Sequence, residues 1–338
     1  MIRNQWYAIL ESTEVRPGKP VGVTRMGEKL VLWRDQSGKL ACLVDQCPHR
    51  GVALSKGKLV ANQIQCPFHG FEYDPTGRCT FIPANGKNSP VPLAFQVPDY
   101  PVHEEYGFIW VWWGERAAEL PKIAFFDSIP ANMSYSTTKD HWRTHYSRAI
   151  ENQLDVVHLP FVHHNTIGRG NRALVDGPLY RWECQLTECD LLNLWVYNRV
   201  DDGSKPRKPE SIADPDRNPM LQFRYPNLWQ NWIGDKIRIV VAFAPIDDEN
   251  TMMYLRFYQD IIRVPILKQI MEGIGSLGNL IIERQDKRVV ETQMPKRSHL
   301  RMGEKLIQGD GPIIAYRRRR DELICQNGGG DHQEKTNP

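Results

Sequence analysis

Long hydrophobic runs, a basic leader and an imbalance of charge are all missing from this 338-residue chain. No stretch reaches the roughly 18 consecutive apolar residues that a membrane-crossing helix needs. The start, Met1-Ile2-Arg3-Asn4-Gln5-Trp6, has no basic head followed by an apolar segment, so no secretory signal is read there. Lys and Arg number 43 against 40 Asp and Glu, a net charge of +3, too balanced to make nucleic acid the expected partner. Cysteine is scarce and odd in number. Seven of them, without an export signal, favour reduced thiols or metal ligands over a disulfide framework. No internal repeat is found. Hydrophobic residues make up 41% and charged residues 25%, the balance of ordinary globular material, which excludes collagen, a simple coiled coil and a wholly disordered chain. The expectation is a soluble, cytoplasmic protein of about two domains, without nucleic-acid or membrane partners.

The first third reads as β structure. Short apolar runs, Lys29–Trp33 and Leu40–Val44, alternate with turn signals at Met26-Gly27, Gln36-Ser37-Gly38 and Asp74-Pro75-Thr76-Gly77. Tyr106–Gly114 reads as a buried strand closing this unit, and Glu115–Pro121 as a linker. Beyond it the chain mixes both structure types. A short helix is expected over Ala149–Val157, ended by Pro160, and strands over Leu179–Val200, Lys236–Phe243 and Met252–Asp260. Asp201–Met220, a charged loop with four prolines, reads as a lid or a disordered segment. Ile266–Gln293 is helical in pattern, with Gly273, Gly275 and Gly278 predicting two segments or a kink. The domains are therefore set at 1–114 and 115–325, with 326–338 a flexible tail.

Two short boxes carry chemistry. Cys47-Pro48-His49-Arg50-Gly51 and Cys66-Pro67-Phe68-His69-Gly70 form Cys-x-His, sixteen residues, then Cys-x-x-His. Each ligand pair is braced by a proline and followed by a glycine, which suits two loop tips clamping a metal centre. Structural zinc pairs want about two to four intervening residues, and the single residue between Cys47 and His49 fits poorly. A Rieske [2Fe–2S] centre takes two thiolates on one iron and two imidazoles on the other. The boxes resemble the Rieske family over residues 1–114. Respiratory-complex members carry an extra disulfide-forming cysteine beside each pair, where this chain has Val52 and Phe68. Cys42 and Cys79 are read as structural thiols.

The second constellation is Glu151-Asn152-Gln153-Leu154-Asp155-Val156-Val157-His158-Leu159-Pro160-Phe161-Val162-His163-His164. Asn152, Asp155 and His158 share one side of a helix, and Pro160 lets the following segment swing His163 back towards them. Two histidines and a carboxylate are the facial triad of a non-haem Fe(II) oxygenase. This stretch resembles the iron motif of Rieske non-haem iron oxygenases, particularly the branch with pheophorbide and chlorophyllide oxygenases, although no terminal Cys-x-x-Cys or membrane anchor follows here. The resemblance makes His158 and His163 iron ligands, with His164 the rival of His163. It makes Asn152 and Asp155 catalytic candidates, Asp155 bridging His158 to the Rieske residue His69 of a neighbouring subunit. Ile281–Glu291 resembles the family segment whose aspartate is the third ligand, here Asp286, with Glu283 as the alternative.

The resemblance implies an α+β architecture: an all-β Rieske domain followed by a helix-grip (START-like) catalytic domain, in a head-to-tail homotrimer. It implies a terminal oxygenase holding a [2Fe–2S] cluster on Cys47, His49, Cys66 and His69 and a mononuclear Fe(II) on His158, His163 and Asp286. Electrons would come from a separate NAD(P)H-dependent reductase, with or without a ferredoxin, since nothing in the chain resembles a flavin or nicotinamide site. With O2 it would hydroxylate or oxidatively demethylate a small aromatic or cyclic substrate. A cis-dihydroxylating dioxygenase and a plain Rieske electron carrier are the alternatives. Arg317–Arg320 reads as solvent-exposed or interface charge, Trp229 and Trp232 as core, and His141 and His145 as strand residues away from metal.

Overall fold

The computed structural model describes residues 1–168, 174–176, 178–185, 188–200, 202–213 and 215–327. The chain divides into two compact units, one formed by Asn4–Ile123 with Ala244–Asp247, the other by Met1–Arg3, Ala124–Phe243 and the chain from Asp248 on.

The first unit is β throughout, apart from single 3-10 turns. One sheet pairs Gln5–Glu11 with Phe108–Trp113, which pairs in turn with Val102–Glu105. A second joins Val21–Arg25, Glu28–Arg34 and Leu40–Val44. A third holds the short strands Lys58–Val60, Gln63–Gln65, Glu72–Tyr73 and Cys79–Phe81. Every residue of Phe108–Trp113 is buried, as a continuous apolar run in a strand covered on both faces must be. Tyr106 and Gly107 do not belong to that strand. Both adopt positive φ (52° and 74°) and make the turn into it.

The second unit is mixed. Its seven-stranded sheet runs in the order Ser134–Trp142, Thr251–Gln259, Ile237–Pro245, Leu228–Gly234, Leu221–Arg224, Glu188–Trp195, Leu179–Gln185. Among the described residues, four helices accompany it: α1 (Tyr146–Leu154), α2 (Leu159–Val162), α3 (Pro265–Val290) and α4 (Gly311–Gln326). The core lies between sheet and helices, with Leu192, Leu194, Phe223, Phe243, Met253 and Leu255 from strands meeting Ile150, Leu154, Val290, Tyr316 and Ile324 from helices.

Several expectations are corrected. The helix expected over Ala149–Val157 starts three residues earlier, capped by His145, whose Nδ1 accepts from Ser147 N. His145 is thus a cap and not a strand residue, whereas His141 does lie on a strand. Pro160 does not end α1; it stands in the first turn of α2, where a missing N–H costs nothing. Pro265–Val290 is one helix without interruption. Gly275 is there for space, since a Cβ would lie 2.6 Å from the Phe257 ring. The arginine quartet is split: Arg317 and Arg320 are 4% exposed. Arg317 grips both carboxylate oxygens of Glu151 at 2.8 Å and reaches Glu304 at 2.8 Å. Among the thiols, Cys42, Cys47, Cys66, Cys79 and Cys325 are free, but Cys184 is disulfide-bonded on a hairpin that sets its Cα opposite that of Cys189. The loop after 201 is tied down at Arg207, whose N–H donates to Asp176 (2.6 Å) and whose carbonyl accepts from Gln308 (2.6 Å). The expected tail at 326–338 lies outside the described residues from 328 on. Among the described residues, no helix is long and apolar enough to cross a membrane.

Candidate metal centres

The two Cys/His boxes fold as near copies. In each, the glycine four residues after the cysteine donates its N–H to the cysteine carbonyl, Gly51 to Cys47 at 2.8 Å and Gly70 to Cys66 at 3.1 Å. Both glycines have left-handed φ, 73° and 74°, which a Cβ would strain. Each cysteine N–H is held in turn, by Val52 O and Phe71 O. The outcome is two loop tips with buried cysteines, 1% and 3% exposed, and exposed histidines. The His49 and His69 rings lie 4.6 Å apart edge to face, with His49 stacked on Phe71 at 4.8 Å.

This donor set fits a two-iron cluster with its thiolate side inward and its imidazole side outward. Burial raises the Cys66 thiol above its ordinary range, and the neighbouring Cys47 adds to it. A cation at this place would reverse that and favour the Cys66 thiolate. The Tyr73 hydroxyl stands 3.1 Å from Cys47 Sγ; a thiolate only accepts, so with metal bound that hydroxyl donates.

The second centre is assembled from two elements. His158 and His163 bracket α2, one at each end, and α3 supplies Asp286. His158 Nε2 and His163 Nε2 lie 3.3 Å apart, and Asp286 Oδ1 lies 3.3 and 3.0 Å from them. All are donor atoms to a cation. Gln285 Oε1 accepts from both His163 Nδ1 and Thr166 Oγ1 at 2.8 Å, while its Nε2 donates to Asn165 at 2.8 Å. That holds a proton on His163 Nδ1 and makes Nε2, on the carboxylate side, the atom a cation would take. Edges near 3 Å match one face of an octahedron around a first-row metal bonded at about 2.1 Å. The arrangement fits a facial triad.

Charge agrees with this. Burial, the largest influence on His158, pulls its pKa down, yet Asp155 and Asp286 outweigh it and push the imidazole up to about 9. Asp286 stays below its ordinary range although burial alone would raise it, because both histidines hold its charge. Glu283 behaves oppositely: burial, then Asp140 and Asp286, push its carboxyl well above the usual range.

The rivals sit elsewhere. His164 is exposed and its Nδ1 donates to Phe161 O at 3.1 Å. Glu283 is outside the group of donors lying within 4.8 Å of one another, which is His158, His163 and Asp286. Asp155 caps α1, accepts from Val157 N at 2.9 Å, and lies 3.8 Å from His158 Nδ1. At that distance it acts on the imidazole through charge rather than a hydrogen bond. Asn152 is half-buried on α1, its Nδ2 without a partner. Sequence reasoning missed Gln285, although it adjoins Asp286 and a buried imidazole requires an acceptor. It also missed the Arg148–Glu151–Arg317–Glu304 cluster that braces α1 against α4.

Residues 5–101 match the Rieske [2Fe-2S] domain family, and residues 142–326 match the Vanillate O-demethylase oxygenase C-terminal domain family. The chain is 36% identical over 174 residues to chlorophyllide a oxygenase of Chlamydomonas reinhardtii, covering 50% of this chain and 26% of that protein. It is 34% identical over 164 residues to the dicamba O-demethylase oxygenase component of Stenotrophomonas maltophilia, covering 48% of each. The chain thus spans about half or less of the length of these relatives. In fold it is similar to the crystal structure of dicamba monooxygenase bound to dicamba, with a TM-score of 0.74, 20% identity, and coverage of 98% of this chain and 99% of that one.

Proposed function

The chain belongs to the Rieske non-haem iron oxygenase family, and on that premise we propose that it is a terminal oxygenase that hydroxylates or oxidatively demethylates a small organic substrate with O2. The observation that carries this reading is the convergence of His158, His163 and Asp286 in a chain that also presents two Cys/His loop tips.

In this reading Cys47, His49, Cys66 and His69 hold a [2Fe–2S] cluster, and His158, His163 and Asp286 hold a mononuclear iron. Together these groups supply one-electron transfer and O2 activation. The chain's own residues supply position and charge. Gln285 fixes the tautomer and plane of His163, Asp155 favours the Nδ1–H form of His158, and Tyr73 donates to the Cys47 sulfur. The Arg317–Glu151 pair keeps α1 in place, and with it the turn that carries His158. A separate NAD(P)H-dependent reductase, with or without a ferredoxin, would deliver electrons in the cytoplasm. The working unit would be a homotrimer in which His69 of one subunit approaches Asp155 of the next. cis-Dihydroxylation uses the same ligands and is separated from hydroxylation by product structure. A plain electron carrier has no use for a second donor set, and the triad speaks against it.

The test is metal analysis followed by turnover. Purified protein should hold about three irons and two acid-labile sulfides per chain. With a surrogate reductase and 18O2, one labelled oxygen should appear in a hydroxylated product or in the carbon lost on demethylation. Zinc in place of iron, with no visible absorbance, would overturn the reading at both centres.

A further inference from the structure

The buried face of α3 is polar where a core would be apolar. Glu272, Ser276, Asn279, Glu283 and Asp286 are its buried residues ahead of Val290, spaced i, i+4, i+7, i+11 and i+14 along one face. Alternate residues of Ser134–Trp142, namely Ser136, Thr138, Asp140 and Trp142, line the strand opposite. Contacts at the two ends fix this pairing: Ser136 Oγ meets Glu272 O at 2.8 Å and Ser276 Oγ at 2.6 Å, and Lys287 Nζ meets Asp140 Oδ1 at 2.9 Å.

Between those ends the polar atoms are unpaired. Thr138 Oγ1, Asp140 Oδ2, Trp142 Nε1, Asn279 Nδ2 and both carboxyl oxygens of Glu283 are buried without a hydrogen-bond partner. Asn279 is 8% exposed and Glu283 is 3% exposed. The Trp142 indole acts on the Glu283 carboxyl without closing a hydrogen bond to it. Leaving buried polar atoms unpaired has a desolvation cost, and five neighbouring side chains doing so mark a place where a polar ligand completes the network. The adjoining strand offers the opposite character: Leu255 and Met253 pair with Thr138 and Asp140 across the sheet and share their face. Asn279 and Glu283 stand about 10 and 4.5 Å before Asp286 along the helix axis, the reach of one or two rings.

We propose that Asn279 and Glu283 determine substrate specificity by hydrogen-bonding an uncharged carbonyl or carboxamide on an otherwise apolar substrate, and that this seam rejects carboxylates and sulfonates. The proposal rests on the oxygenase reading above and deepens it. The cationic groups beside this seam are already engaged: Lys287 holds Asp140, and Asp286 takes the two imidazoles of the metal centre. An anionic substrate group would be buried there without a counter-charge of its own. A neutral carboxyl and an amide instead offer donors and acceptors together.

The probes are 3-methoxybenzamide and 3-methoxybenzoate, titrated calorimetrically under anaerobic conditions into iron-loaded protein. The amide should bind at least about tenfold more tightly than the benzoate. Glu283→Leu and Asn279→Leu should each weaken amide binding about tenfold and narrow that preference, while Glu283→Gln, which keeps a neutral polar group, should hold amide affinity within about threefold. Glu283→Leu should also unfold at the same or a higher temperature, because an unpaired buried carboxyl is removed. Benzoate binding as tight as amide binding overturns the proposal. So does wild-type amide affinity in a folded, iron-loaded Glu283→Leu protein. Amide binding that depends on Glu283 without labelled product would retire the oxygenase reading and leave the seam standing. Turnover of the benzoate, indifferent to both leucine variants, would do the reverse.

Discussion

At the scale of single residues, the difference between Asp286 and Glu283 is one of company. Both are buried acids on one face of α3, 4% and 3% exposed. Asp286 has two imidazoles beside it and keeps its charge, whereas Glu283 has carboxylates beside it and gives its charge up. Asp286→Ala should therefore cut bound iron from about three to about two per chain, with the cluster absorbance intact, while Glu283→Ala keeps all the iron. Iron retained in the first variant and lost in the second would transfer the ligand role to Glu283. Gln285→Leu tests the support of His163. Removing that acceptor frees the ring to rotate or change tautomer, and affinity for the mononuclear metal should fall about 10- to 100-fold, read by competition with a chelator.

At the scale of elements, α3 shows how a helix carries opposite demands on its two sides. Its inner face is polar, while Ile266, Leu267, Ile270, Ile274, Leu277 and Ile281 on other faces are all about half exposed or more. Glycine substitutions along it should differ in sign. Gly275→Ala drives a Cβ into the Phe257 ring and should cost about 1–3 kcal/mol. Gly273→Ala and Gly278→Ala meet nothing within 4 Å and should each stabilise by about 0.5–1 kcal/mol through helix propensity. Urea unfolding of the three variants checks both signs. The Arg317–Glu151 pair joins α4 to α1 with both partners buried. Arg317→Ala leaves Glu151 without that partner, and a loss of about 3–5 kcal/mol is expected. Arg319→Ala, at the exposed pair with Glu322, should change little.

For the whole molecule, the prediction concerns assembly. Light scattering should give a particle of about three 39.1-kDa chains. Asp155→Asn should keep both metal centres and the trimer, yet slow oxidation of a pre-reduced cluster by O2 and substrate severely. Wild-type cluster oxidation in that variant, or a fully active monomer, would defeat the subunit-to-subunit arrangement. The charge that Asp155 places 3.8 Å from His158 makes it suited to the bridging role, and its half-exposed position leaves it accessible to a neighbour.

Much of this was legible in the linear chain because the chemistry is local. Cys47/His49 and Cys66/His69 are close pairs whose spacing already implies loop tips, and His158/His163 stand at the two ends of a short helix that a proline in its first turn helps to start. Such motifs need only their own few residues to be read. What the tertiary structure decided depends on partners far away in sequence. Gly275 reads as a helix breaker until the Phe257 ring is seen against it. Arg317 and Arg320 read as solvated charge until Glu151 and the Ser298 carbonyl are found beside them. Glu283 and Asp286 read as one charged, solvated helix face. Only packing against the strand of Thr138 and Trp142, and against the turn of His158 and His163, turns that face inward, because burial and neighbouring charge are properties of the fold and not of the residue.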